Sequence, residues 1–167
     1  MTGDGQAVRH RSFPVALLVA CRPKQWVKNL LVFAAPGAAG VLGEGDALVA
    51  SIGAFVAFCL AASATYLLND SADVEADRAH ATKRYRPIAA GQLSVPVALV
   101  AAGVLAVVGL GVALAVRWEL AVVLVGYVAL TTSYSAVLKH RVILDVVALA
   151  AGFVLRAIAG AVAADVP

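Results

Sequence analysis

Long apolar runs broken by short polar clusters set the pattern of this chain. Ala47 to Leu68 is 22 residues without a formal charge. At about 1.5 Å per residue, a helix of that length crosses the hydrocarbon core of a bilayer. It ends directly on Asn69 and Asp70. After a charged loop, Ser94 stands where a helix cap belongs and Pro96 is tolerated in the first turn, so a further span is predicted to about Val116. Leu120 to Leu138 and Val142 to Ala164 read as two more. Near the start, Phe13 to Lys28 reads as an amphipathic leading segment, with Trp26, Arg22, Lys24 and Lys28 suited to the headgroup region. The first span is predicted from Gln25 to Gly40, short for a bilayer and dependent on Lys28 snorkelling. The pattern predicts an all-α, polytopic transmembrane helix bundle with about five helices, residues 1–12 forming a disordered tail and 13–167 the helical domain.

Composition agrees. Hydrophobic residues make up 62% and charged residues 14%, with a mean hydropathy of +0.92. Ordinary soluble domains carry about a quarter charged residues. The net charge of +3 does not require nucleic acid, because positive loops also orient membrane proteins. Lys and Arg number five in the tail and leading segment, four in the 69–93 loop and two at 139–141. The other side has none in its first loop and Arg117 in the next. The bias places the N-terminus and the charged loop in the cytoplasm, at the inner (plasma) membrane. Met1 to Arg11 superficially resembles the start of a signal peptide, but the apolar piece Phe13 to Cys21 is stopped by Arg22-Pro23-Lys24 with no small-residue cleavage site. An uncleaved tail is expected. Cys21 and Cys59 lie in apolar surroundings without metal-pair spacing, so buried free thiols are expected.

The loop at the end of the 47–68 run carries the candidate chemistry. On a helix Asp70, Asp73 and Asp77 fall at about 0°, 300° and 340°, one narrow face, whereas Glu75 points elsewhere. Three crowded carboxylates repel unless a cation joins them. Mg²⁺ takes one or two carboxylates together with substrate phosphate oxygens. Lys83, Arg84 and Arg86 follow closely and supply phosphate-binding donors. The alternative is a solvated loop whose acids and bases neutralise one another.

The last span contains Asp145 and Arg156, roughly 16 Å apart along one helix face, too far to pair directly. Each therefore needs a partner on another helix or in a wet cavity. Asp145 can instead pair locally with Arg141. Gly152, one turn before Arg156, leaves room for a helix or ligand. Tyr134 and Lys139 near the same boundary could hold a phosphate, or serve as an interfacial aromatic and a snorkelling lysine.

Asn69-Asp70-x-x-Asp73-x-x-x-Asp77 followed by Lys83-Arg84-x-Arg86-Pro87 resembles the first aspartate-rich motif of the UbiA-type intramembrane prenyltransferase superfamily. Arg22-Pro23-Lys24-Gln25-Trp26-x-Lys28-Asn29, Tyr134-Ser135-x-x-Leu138-Lys139 and Gly152-Phe153-x-x-Arg156-x-x-x-Gly160 fit the same assignment, in detail the decaprenyl-phosphate phosphoribosyltransferase branch. The resemblance covers the chain from about residue 17. It implies transfer of 5-phosphoribose from 5-phosphoribosyl diphosphate to a polyprenyl (decaprenyl) phosphate for cell-wall arabinan synthesis. Asp70, Asp73 and Asp77 would hold the diphosphate through Mg²⁺ as catalytic and metal residues, with Asn69 orienting the site. Lys83, Arg84 and Arg86 would bind donor phosphates, Tyr134 and Lys139 would add contacts, and Lys24, Lys28 and Arg156 complete the implied substrate-binding set. The implied partners are the lipid phosphate, the donor and the membrane, with no nucleic acid; a homo-oligomer stays open.

Two departures stand out. His80 is followed by Ala81 where the family has Pro, and the superfamily has about nine helices where this chain reaches Pro167 after five. The resemblance thus implies an N-terminal portion, and residues 1–167 alone are expected to give no product in a transfer assay. Three other readings remain: an aromatic prenyltransferase using prenyl diphosphate, a transporter lined by Asp145 and Arg156, and a non-catalytic truncated homologue.

Overall fold

The computed structural model describes residues 11–133 and 142–166, without the side chains of 142–145. The described residues are mainly helical, with no strand. In chain order they form α1 (Phe13–Ala20), a 3-10 segment (Pro23–Phe33), α2 (Ala34–Ala38), a 3-10 turn (Val41–Gly43), α3 (Gly45–Ala72) and α4 (Val74–Ala79). A 3-10 turn (Lys83–Tyr85), α5 (Val95–Val116), α6 (Trp118–Ser133) and α7 (Val142–Ala163) complete the order.

α3 is the central helix. It packs most extensively on α5 and also touches the first 3-10 segment, α6 and α7. Its small residues allow this: a Cβ added to Gly109 of α5 would come within 3.2 Å of the Ala57 carbonyl and the Leu60 Cβ. One core cluster joins Phe58 of α3 to Leu124 and Tyr127 of α6 and Ala159 of α7. A second joins Ala20, Leu67, Ile88, Leu93 and Ala98 at the end bearing the charged loop. Outward, Val100, Val104 and Val107 are exposed at helical spacing along α5, an apolar stripe suited to lipid.

The expected helix bundle is present, with differences in its spans. α3, α5 and α7 are long and apolar enough to cross a membrane, and α6 is apolar with 16 described residues. Residues 25–40 are not a membrane-length α-helix. Pro23 starts a tight 3-10 segment from Arg22, which adopts the left-handed conformation (φ 55°), and Pro36, Gly37 and Gly40 limit α2 to one short helix. Ser94 occupies the N-cap of α5 but makes no side-chain cap hydrogen bond. Arg86-Pro87 ends helical structure as expected, and the loop behind it is tied down. Gln92 and Leu93 N–H groups both donate to the Pro87 carbonyl, at 2.9 and 3.1 Å, above buried Ile88. Of the expected tail 1–12, residues 1–10 lie outside the described residues, as do Tyr134 to Arg141, while Ser12 is the N-cap of α1 and Arg11 Nη1 donates to Gln92 Oε1 at 3.4 Å.

Candidate functional site

The aspartates do not continue on one helix. α3 ends at Ala72, and Asp73 leaves helical geometry (φ −93°, ψ 11°) before α4 begins. Main-chain bonds from Asp73 to Asn69 (3.0 Å) and from Asp77 to Asp73 (2.8 Å) shape this break. It brings Asp77 back beside Asp70. Arg86 Nη1 donates to both carboxylates, at 3.1 Å to Asp70 Oδ1 and 2.7 Å to Asp77 Oδ2. Arg22 Nη2 donates to Asp70 Oδ1 from another side at 2.5 Å, and Lys83 Nζ lies 4.0 Å from Asp77 Oδ1. The two carboxylates are only 4% and 2% exposed, and the three cations around them range from 29% to 46%.

Buried anions therefore face cations at the rim. Two carboxylates that already share one guanidinium nitrogen also suit a divalent cation, which would leave Arg22 and Arg86 able to turn to phosphate. Asp70 and Asp77 would hold such a metal. Asp73 is half-buried at the helix break, and among the described residues no three potential ligands gather as one metal group.

A cavity of about 370 Å³ adjoins this cluster. Asn69 lines it while the neighbouring Asp70 faces the arginines, the separation expected of consecutive residues on a helix. Lys28, Thr65, Tyr66, Tyr127, Thr131 and Arg156 complete its polar wall. Arg156 finds the partners on other helices that its depth requires: Nε donates to Asn29 Oδ1 at 2.8 Å and Nη2 to the Tyr127 hydroxyl at 3.0 Å. Nη1 donates to the Gly152 carbonyl at 2.7 Å, and Gly152 itself lines the cavity beside the arginine.

Of the remaining expected residues, Lys24 is exposed, and Arg84 is engaged by its neighbour Tyr85 through a 2.8 Å hydrogen bond and ring stacking, away from the carboxylates. Tyr134, Lys139 and the Asp145 side chain lie outside the described residues. Four contributors were not assigned site roles from sequence: Arg22, Asn29, Tyr66 and Tyr127. Tyr66 stands four residues before Asp70, and Arg22 both stacks on its ring at 4.8 Å and bonds Asp70. That i, i+4 pairing is a readable signal. Asn29 and Tyr127 are polar groups set in apolar surroundings, which is the other one.

The chain matches the UbiA prenyltransferase family over residues 30–166. It is 50% identical over 155 residues to the decaprenyl-phosphate phosphoribosyltransferase of Mycolicibacterium smegmatis, covering 90% of this chain and 49% of that protein. The protein of the same name from Corynebacterium glutamicum is 46% identical over 155 residues, covering 90% and 46%. That from Mycobacterium tuberculosis is 47% identical over 152 residues, covering 89% and 50%. The chain spans about half the length of the curated relatives it matches. With three helices among the described residues long and apolar enough to cross a bilayer, it is a multi-pass membrane protein. The extent of the match establishes that the chain belongs to the UbiA prenyltransferase family.

Proposed function

We propose that this protein transfers 5-phosphoribose from 5-phosphoribosyl diphosphate to a polyprenyl phosphate such as decaprenyl phosphate, at the cytoplasmic face of the inner membrane, with Mg²⁺. The observation that carries this reading is the convergence of Asp70 and Asp77 on one nitrogen of Arg86, beside a cavity lined by Lys28, Asn69 and Arg156. The names of the relatives support the acceptor and the phosphoribosyl group transferred, and the Lys and Arg bias supports the orientation.

Asp70 and Asp77 hold the metal, with Asp73 the third candidate, and Asn69 orients the donor from the cavity side. Mg²⁺, when bound, neutralises the diphosphate and eases its departure. Arg22, Arg86 and Lys83 contact donor phosphates, and Arg84, Lys24, Tyr134 and Lys139 are candidates for further contacts. An acceptor phosphate oxygen forms a bond to the anomeric carbon as the bond from that carbon to the diphosphate oxygen breaks. The nucleophile is already an anion, so no general base is needed and electrostatic stabilisation of the leaving group is the main task.

Calorimetric titration of the solubilised protein with 5-phosphoribosyl diphosphate, with and without Mg²⁺, tests this. It is run on this chain and on this chain joined to the part of the Mycolicibacterium smegmatis relative that it does not cover. Mg²⁺-dependent binding, lost in Asp70→Asn and Asp77→Asn, is expected. Binding of prenyl diphosphate in place of this donor would reassign the protein as an aromatic prenyltransferase, and binding of neither would overturn the reading.

A further inference from the structure

Arg156 is 6% exposed, and its three hydrogen bonds all go to neutral acceptors on Asn29, Tyr127 and Gly152. A guanidinium has five N–H donors, so two are left without a protein acceptor among the described residues. No described carboxylate pairs with it, and Asp70 and Asp77 are engaged by Arg22 and Arg86. A buried cation without counter-charge is costly, more so at membrane depth. Lys28 adds a second positive charge to the same cavity, whose lining contains no acidic residue among the described residues.

The arginine is nonetheless held rigidly. Asn29 is fully buried, and its Nδ2 donates to Cys59 Sγ at 3.2 Å, which turns Oδ1 towards Arg156. The Arg156 guanidinium also lies 4.8 Å from the Tyr127 ring centre. Part of the cavity wall is apolar: Leu130 of α6 and Ala148 and Leu149 of α7, with Leu149 continuing onto the exposed apolar surface. A charged seat with an apolar approach suits a phosphate monoester that carries a hydrocarbon tail.

We propose that Arg156 and Lys28 form the seat for the monophosphate of the lipid acceptor, separate from the carboxylate pair that takes the donor, with Asn29 and Tyr127 as positioning residues. This rests on the transferase reading above. The same phosphate chemistry could come from the 5-phosphate of the sugar donor, so the test separates the two sources.

Farnesyl phosphate and ribose 5-phosphate serve as probes, titrated into the solubilised protein alongside 5-phosphoribosyl diphosphate with Mg²⁺. The variants are Arg156→Gln, Lys28→Gln and Asn29→Asp. The last keeps the shape of the side chain but gives Arg156 its own counter-charge, so it is expected to fold with a melting temperature at or above wild type. Farnesyl phosphate binding is expected to weaken at least about tenfold in Arg156→Gln and Asn29→Asp, and several-fold in Lys28→Gln, with donor binding changed less than about twofold. Unchanged farnesyl phosphate binding in a folded Asn29→Asp protein overturns the proposal, as does wild type that binds the donor but no farnesyl phosphate. Loss of ribose 5-phosphate or donor binding instead assigns the cavity to the donor and also overturns it. Wild type that binds neither ligand removes the transferase reading itself.

Discussion

Gly160 of α7 lies against the backbone of Val32 so closely that a Cβ built on the glycine would overlap the Val32 carbonyl. Val32 is fully buried in the 3-10 segment that also carries Lys28 and Asn29, and Arg156 stands one turn before Gly160. This contact sets the approach of Asn29 to Arg156. Because the obstacle is main chain, Gly160→Ala is expected to cost at least the ~1–3 kcal/mol of an overpacked core. Gly111→Ala, with nothing within 4 Å of the new methyl, is the control. Thermal melting in detergent reads the difference, and equal shifts for the two variants would refute the close crossing.

Arg86 holds two buried carboxylates at once. Arg86→Gln leaves Asp70 with Arg22, and Asp77 with only Lys83 at 4.0 Å. Removing one partner of a buried ion pair costs about 3–5 kcal/mol, and the partial exposure of Arg86 favours the lower end. If Asp70 and Asp77 are the metal pair, millimolar Mg²⁺ should recover part of that loss. Melting curves of Arg86→Gln with and without Mg²⁺ decide it; no recovery would count against these two carboxylates as the metal site.

Much of this arrangement was legible in the sequence, because a 22-residue uncharged run has few fates other than a spanning helix, and α3 contains the whole of it. The position of the carboxylates was less so. Helical spacing puts Asp70, Asp73 and Asp77 on one face, and Asp70 and Asp77 do meet on one nitrogen of Arg86, but the helix is interrupted at Asp73 between them. Local periodicity cannot see such a break when no Pro or Gly marks it. Residues 25–40 misled for a related reason: their apolar content fits a span, whereas Pro23 and Arg22 impose a 3-10 course. The depth of Arg156 was readable as a demand for partners, but which polar groups would meet it depended on how α6 and the 3-10 segment pack.

At the end of the bundle away from the aspartates, Arg117 Nη1 donates to Asp165 Oδ1 at 2.6 Å. That hydrogen bond, and then the guanidinium charge, hold the Asp165 carboxyl below its ordinary range. A lowered folded-state value means that the stabilisation is present above the unfolded carboxylate pKa of about 3.9 and is lost as pH falls through the folded value. The pair is therefore intact at neutral pH and weakens only in acid. An NMR titration of Asp165 should show a midpoint below about 3.9 that rises to the ordinary value in Arg117→Gln. Because the pair is exposed, raising the salt to ~1 M should also move the midpoint upward. A midpoint insensitive to Arg117 would exclude the pairing.

Arg22 combines a backbone penalty with an electrostatic gain. Its left-handed conformation costs an L-residue roughly 1–2 kcal/mol, and its side chain neutralises buried Asp70. Arg22→Gly relieves the first and forfeits the second, so alone it is expected to destabilise, moderated because Asp70 keeps Arg86. In an Asp70→Asn background the carboxylate that Arg22 pairs with is gone. There the same glycine should be neutral or stabilising, giving a coupling of about 1–3 kcal/mol between the two sites. Denaturant unfolding of the wild type, both single variants and the double variant measures it. Additivity within about 0.5 kcal/mol would mean that Arg22 is held in its strained conformation by something other than Asp70, with stacking on Tyr66 the remaining contact on that side chain.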